Sequence, residues 1–335
     1  MSYLTLPRCR HRKEERLITS EFPPRAPGRL YLTEGGMETE IMYKCGHELP
    51  HFAMFTLLDD PDAVEDMKGI WRRYLDVAAR HGMVPLTQGV DYRASPDWGA
   101  LLGYSPEGLA EMQHRAIDFL KGVVAEYADR IPEAYIVGSV GPRGDAYSLN
   151  RTITEDEAED YHSVQLGTLK AAGADMAWAM TFNNIPEAIG VTRAAAAIGI
   201  PLAVSLSLDS SSRLNSGPSL RDAIETIDAE AGDTIAFFSV NCSHPVEFEP
   251  ALDGGDWQQK IRCIRPNAAK MDKIALCKIG HLEDGEPVEL GEQMADVARR
   301  HPSMDIFGGC CGTDERHLDE MAKSVRAVRE SIPPK

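Results

Sequence analysis

Short apolar runs alternate along this chain with longer segments whose apolar residues recur at helical spacing. The first run is Leu30–Thr33, and it ends in Glu34-Gly35-Gly36. In the segment Pro61–His81 that follows, Val64, Met67, Trp71, Tyr74, Leu75 and Ala78 share one helical face. Further strand-like runs are Met83–Thr87, Ala134–Val137, Asp175–Thr181, Pro201–Ser205, Ile235–Val240, Lys273–Cys277 and Met304–Phe307. Helices are expected between them: Pro106–Tyr127 behind Ser105, a segment opened by a Thr154/Glu157 capping box, and Pro186–Ile198. Later ones are a helix opened by Ser219, then Trp257–Ala269, Leu290–Arg300 and Asp314–Glu330.

Eight strand-then-helix units predict an α/β protein of the (β/α)8 TIM-barrel class, with a doubly wound open sheet as the structural alternative. No Gly-x-Gly-x-x-Gly opens the first unit, so a dinucleotide fold has no direct support. The expected organisation is a single barrel domain over residues 29–332, preceded by a short arm at 1–28. That arm carries Arg8, Arg10, Arg12, Lys13 and Arg16 and ends in Pro23-Pro24-Arg25-Ala26-Pro27-Gly28, an extended stretch.

Charge narrows the partners. The formal net charge is −17, although the first thirty residues hold more Arg and Lys than Glu, so the body is more acidic still. Such a surface repels phosphate backbones and anionic membranes, which argues against nucleic acid and favours a cationic small molecule; solubility alone would also account for it. Seven cysteines without a regular framework do not suit a secreted disulfide scaffold. The basic N-terminus lacks an apolar core for a secretory signal, and no run reaches the length of a membrane span. A cytoplasmic location is expected, and a homo-oligomer is left open.

The candidate chemistry lies in cysteines. In a barrel, the strand ends converge on one face. Cys242 ends the sixth run, and the adjacent pair Cys310-Cys311, within Gly308-Gly309-Cys310-Cys311-Gly312-Thr313, ends the eighth. Adjacent cysteines suit two thiolates meeting one metal at a bend, and with Cys242 they make three. Three thiolates bind Zn²⁺ and leave one position for substrate. Three buried cysteines packed as small hydrophobes are the plainer alternative.

These motifs resemble the zinc-dependent homocysteine S-methyltransferases, a group that includes betaine–homocysteine methyltransferase and the homocysteine domain of cobalamin-dependent methionine synthase. The matching pieces are Glu34-Gly35-Gly36-Met37-Glu38-Thr39-Glu40, Tyr92-Arg93-Ala94-Ser95, Gly138-Ser139-Val140-Gly141-Pro142, Val240-Asn241-Cys242 and the Gly308–Thr313 stretch. The resemblance covers residues 30 to about 330 and implies Cys242, Cys310 and Cys311 as zinc ligands. It further implies a thiol acceptor, a cationic methyl donor of sulfonium or betaine type, and a substrate site at Glu34, Gly35, Gly36, Asp91, Met180 and Asn241. No catalytic side chain is expected beyond the substrate thiolate that zinc activates, because a thiol near pKa 8.5 is mostly protonated at neutral pH.

The chain departs from the family's pattern at the substrate. Where the family ends strand four in a Glu-Thr type motif that holds the amino group of homocysteine, this chain has Met180-Thr181. Glu34 stands for an Asp, Asp91 for a Thr or Asn, and Leu276-Cys277-Lys278 is aligned with the family's Tyr-Pro-Asn type loop after strand seven. Either Asp91 or Glu34 holds the ammonium from another direction, or the acceptor is a thiol without an α-amino group, for which Arg93 and Lys278 offer positive charge. A demethylation of a small methylated metabolite, or a barrel that binds zinc or ligand for regulation without catalysis, are the further readings. Tyr92, Phe182, Phe52 and Trp98 are candidates for an aromatic wall, and Cys45, His47 and His51 for a weaker metal-like cluster.

Overall fold

Eight parallel strands close into a barrel in chain order, β1 (Tyr31–Leu32), β2 (Val84–Gln88), β3 (Tyr135–Val140), β4 (Met176–Phe182), β5 (Leu202–Leu206), β6 (Ile235–Asn241), β7 (Ile261–Arg265) and β8 (Ile306–Phe307). The computed structural model describes residues 22–146, 152–271 and 280–331. The seam is made by β1 and β8, pairing Tyr31 with Ile306 and Leu32 with Phe307. Seven of the eight strands are buried along their whole length and β2 nearly so, because the helices cover the outside and side chains fill the inside.

The helices start and stop where their caps dictate. Asp60 accepts from the backbone N–H groups of Asp62 and Ala63 at the start of Pro61–His81, which Gly82 ends in the left-handed region at φ 56°. The Thr154/Glu157 capping box forms in both directions at the head of Glu155–Ala172. Pro287–Arg300 and Glu315–Ser331 lie side by side at the chain's end. None of the described helices is long and apolar enough to cross a membrane.

One element differs from the sequence expectation. The segment expected to be a helix at Trp257–Ala269 is a short 3-10 turn, Asp256–Lys260, followed by β7. The expected strand at Lys273–Cys277, with Cys277 and Lys278, lies outside the described residues. The physical reason is the burial of β7 on both faces together with its two arginines. Arg262 and Arg265 are each 2% exposed, so the strand shows neither the unbroken apolar run of a core strand nor a polar alternation. Trp257, Ile261, Ile264 and Ala268 then fall by chance at helical spacing.

Inside the barrel the filling changes from apolar to polar along the strands. Tyr31, Leu86, Val137, Met176, Trp178, Phe237 and Ile306 pack the N-terminal and middle layers. Phe22 closes that end, its ring edge-on to Tyr135 with centroids 5.0 Å apart. Arg262 donates to the Pro23 carbonyl at 2.7 Å and pairs with Asp305. Residues 22–23 of the expected arm thus pack beneath the barrel, while 1–21 are outside the described residues. Toward the strand ends the inward positions become Gln88, Ser139, Ser205, Ser239, Asn241 and Arg265, joined by side-chain hydrogen bonds into a polar floor.

Candidate active site

Above that floor opens a cavity of about 550 Å³ at the C-terminal ends of the strands. Its wall carries Cys242 from just past β6 and Cys310 and Cys311 from the turn after β8, and the three Sγ atoms lie within 4.8 Å of one another. Cys242 and Cys310 are in disulfide contact with Cα atoms 5.5 Å apart, and Cys311 stands outside that disulfide. Among the described residues this is the one group of three or more His, Cys, Asp or Glu that meets the geometry of a metal site.

The cysteine turn is clamped by its neighbours. Gly309 N–H donates to the Glu34 carbonyl, Cys310 N–H to that of Pro266, and Ala268 N–H to that of Cys311. The chain leaving β8 is thereby tied to the exits of β1 and β7. Gly36 makes the close approach possible: a Cβ there would stand 2.5 Å from the Cys310 carbonyl oxygen. Gly312, at φ 83°, takes a conformation that L side chains rarely adopt.

Backbone strain gathers around the same cavity. Of the five described non-glycine residues at positive φ, four line it: His51, Phe52, Thr181 and Cys242. For Thr181, β-branched and at φ 65°, this conformation costs on the order of 1–3 kcal/mol. Asn241 compensates: its Oδ1 accepts from Thr181 N–H at 3.0 Å and from Ser205 Oγ at 2.8 Å. Its Nδ2 donates to Thr181 Oγ1 at 3.0 Å and points at the sulfurs of Cys242 (3.4 Å) and Cys310 (3.9 Å). An amide N–H so placed can donate to these sulfurs once the pair is reduced.

The donor set fits a zinc ion. Three cysteine sulfurs within one ion's reach, with an amide donor beside them and an open cavity in front, match a thiolate site with a position left for substrate. The fit requires the Cys242–Cys310 pair reduced, because a disulfide offers no thiolate.

The expected substrate residues divide. Gly35, Gly36, Met180 and Asn241 line the cavity, whereas Glu34 and Asp91 are buried and not among its lining residues. Glu34 Oε2 accepts from Thr33 Oγ1 at 2.6 Å and Oε1 from Gln88 N–H at 2.7 Å. Burial pushes its carboxyl up to about 7 against the pull of Arg265 and those hydrogen bonds. Asp91 Oδ1 accepts from Ser139 N–H at 3.1 Å, its Oδ2 has no partner, and burial pushes it up to about 7 as well. Phe52, Tyr92 and Trp98 stand at the wall as expected, but Phe182 is fully buried against His162. Arg93 lines the cavity and stacks on Trp98 at 4.5 Å and Tyr92 at 5.1 Å. His47 pairs with Asp66, and Cys45, His47 and His51 are not among the described residues whose ligand atoms meet within one ion's reach.

Asp91 makes a pH prediction. A carboxyl raised in the folded state keeps its proton where the unfolded chain has lost it. Its contribution to stability is present below the unfolded carboxyl range and is lost as pH rises toward about 7. Between pH 5 and pH 8 this one group should cost the native state roughly 2–3 kcal/mol. Asp91→Asn should remove that part of the slope. Denaturant melts of both proteins at the two pH values check it, and equal slopes would refute the assignment.

Two site residues escaped the sequence reading. Arg265, at the end of β7, donates from Nε to the Gly309 carbonyl at 2.9 Å, from Nη2 to the Glu34 carbonyl at 3.2 Å and from Nη1 to Gln88 Oε1. The signal was present: Arg265-Pro266-Asn267 stands where the family has its Tyr-Pro-Asn type loop, and the alignment on Leu276-Cys277-Lys278 is corrected accordingly. The second is Glu38, which lines the cavity from the first turn of the helix Met37–Tyr43.

Comparison with known proteins agrees with this geometry. Residues 31–325 match the family model of homocysteine S-methyltransferase. The Bacillus subtilis homocysteine S-methyltransferase YbgG is 23% identical over 326 residues, covering 90% of this chain and 96% of that protein. A methionine synthase of Mycobacterium leprae is 24% identical over 235 residues, 68% of this chain but 19% of that protein. Among solved structures, the homocysteine methyltransferase MmuM from Escherichia coli superposes in its oxidized form with a TM-score of 0.71 at 19% identity, covering 88% of this chain and 96% of MmuM. Its metallated form gives 0.68 at 18%, with the same coverage. With a closed eight-stranded barrel, the cysteine turn after β8 and a family match across nearly the whole chain, this protein belongs to the homocysteine S-methyltransferase family.

Proposed function

We propose that the protein is a zinc-dependent thiol S-methyltransferase that moves a methyl group from a sulfonium or betaine-type donor to a thiol acceptor, homocysteine or a related compound. The observation that carries this reading is the meeting of Cys242, Cys310 and Cys311 on the wall of an open cavity. Zinc held by these residues would supply one thing, the loss of the acceptor's thiol proton at neutral pH.

The rest falls to the chain. The acceptor sulfur uses a lone pair to form the new S–CH₃ bond, and the donor's bond to that methyl breaks with its electrons left on the donor's sulfur or nitrogen. No general base is needed once the thiol proton has left. The floor and walls must bring the two partners in line and keep water out, which is where positioning contributes most. Asn241 holds the Thr181 backbone and the sulfur cluster in one frame. Phe52, Tyr92 and Trp98 give the mouth an aromatic lining; Arg93 stacks on Tyr92 and Trp98, and a cationic methyl donor would meet the ring faces it leaves open.

The test is direct. The reduced, zinc-loaded protein should convert homocysteine to methionine with at least one of S-methylmethionine, S-adenosylmethionine or betaine. A zinc-loaded protein that transfers no methyl from any of them, to homocysteine or to simpler thiols, would refute the reading.

A further inference from the structure

We propose that Glu38 is the seat for the ammonium group of an amino-acid thiol, taking over the task that Met180 cannot perform. The proposal rests on thiol methyl transfer as the reaction and names the acceptor's class.

The helix that carries Glu38 is stitched to the cysteine turn: Gly36 N–H donates to the Thr313 carbonyl at 2.8 Å, and Gly312 N–H to Thr39 Oγ1 at 3.1 Å. Glu38 sits between these ties and lines the same cavity as the three cysteines. A thiol whose sulfur meets the cluster therefore carries its other substituents past this wall.

The neighbouring carboxylates are engaged. Glu40 is bonded to Arg73 and Tyr74, Glu34 to Thr33 and Gln88 N–H, and Glu283 to His281; Asp145 has partners too. Among the described residues Glu38 makes no ion pair, and of the groups that favour its charged form the first is its own backbone N–H. Burial raises its pKa, with Arg265 and Arg93 pulling the other way. A carboxylate so placed gains from a cation that brings N–H donors. A primary ammonium brings three. The sulfonium or quaternary ammonium centre of a donor brings none, although S-methylmethionine and S-adenosylmethionine also carry a primary ammonium; binding measured without donor therefore reads the acceptor alone. Arg93, on the same cavity, can meet the carboxylate of that same acceptor. Met180 and Glu38 together then describe a relocated ammonium site and not a lost one.

Calorimetry on the reduced, zinc-loaded full chain can decide, with homocysteine and 4-mercaptobutanoate, which differs only in lacking the amino group. The wild type should bind homocysteine about 10–100-fold more tightly. Glu38→Gln should erase most of that preference while leaving 4-mercaptobutanoate little changed; if it fails to fold or to hold zinc, Glu38→Ala is read in its place. A wild type without the preference, or a variant that keeps it, overturns the Glu38 seat and leaves thiol methyl transfer standing. If neither thiol binds the wild type, both fall together.

Discussion

Cys242→Ala should lower the affinity of the reduced protein for zinc by about 10²–10³-fold and methyl transfer with it. The magnitude follows from sharing the roughly 10–16 kcal/mol apparent binding energy of a four-ligand zinc site among its ligands. The fold should survive, since the substitution removes one sulfur from a side chain at the cavity edge. The left-handed backbone at φ 51° is equally strained for either residue. Cys263→Ala is the matched control. Cys263 lies fully buried inside the barrel, burial pushes its thiol up to about 12, and it stands apart from the other three. That variant should keep its zinc and lose only stability, on the order of 1 kcal/mol. Metal analysis after dialysis against a weak chelator reads both. Zinc at full stoichiometry in the Cys242 variant would remove it from the ligand set, and zinc lost equally from both would point to a packing effect instead.

The two cysteines differ in what made them legible. Cys242 and the Cys310-Cys311 pair stand at strand ends beside glycines and Asn241, where an apolar run stops and the chain must bend, so the sequence marks them as site residues. Cys263 sits inside a strand between two arginines, and nothing nearby marks it. The same strand concealed Arg265. Parallel barrel strands are covered on both faces, so period-two alternation carries little information there, and a buried arginine reads as a surface residue until its partners are known. Those partners come from β1, β2 and β8, far away in sequence. Glu38 is hidden in another way: it lies inside a stretch that matches the family, so nothing sets it apart as a departure. The left-handed Thr181 could not be read at all, because the strain is held by Asn241 across the barrel mouth.

Replacing Arg265 by methionine should destabilise the protein by about 3–5 kcal/mol, a large share of the roughly 5–15 kcal/mol that holds a domain together. Methionine keeps the apolar stem but leaves the Gly309 carbonyl and the Gln88 Oε1 without their donor in the buried floor, and the Glu34 carbonyl with Gly309 N–H alone. The melting temperature should fall on the order of 5–10 °C. The effect should also depend on pH. Arg265 is the charge that restrains the Glu34 carboxyl, already raised to about 7 by burial. Without it the folded-state pKa rises further, so the native state holds the proton more tightly and loses more stability as pH climbs from 5 to 8. The variant should therefore fall furthest behind the wild type at pH 8. Arg262, three residues earlier on the same strand, separates the site from the scaffold. It is buried to the same degree but bonds Asp305 and the Pro23 carbonyl at the opposite end of the barrel. Arg262→Met should destabilise comparably yet leave zinc affinity intact, whereas Arg265→Met should weaken zinc binding because Gly309 directly precedes Cys310. Equal zinc affinity in the two variants would mean that Arg265 supports the barrel and not the cysteine turn.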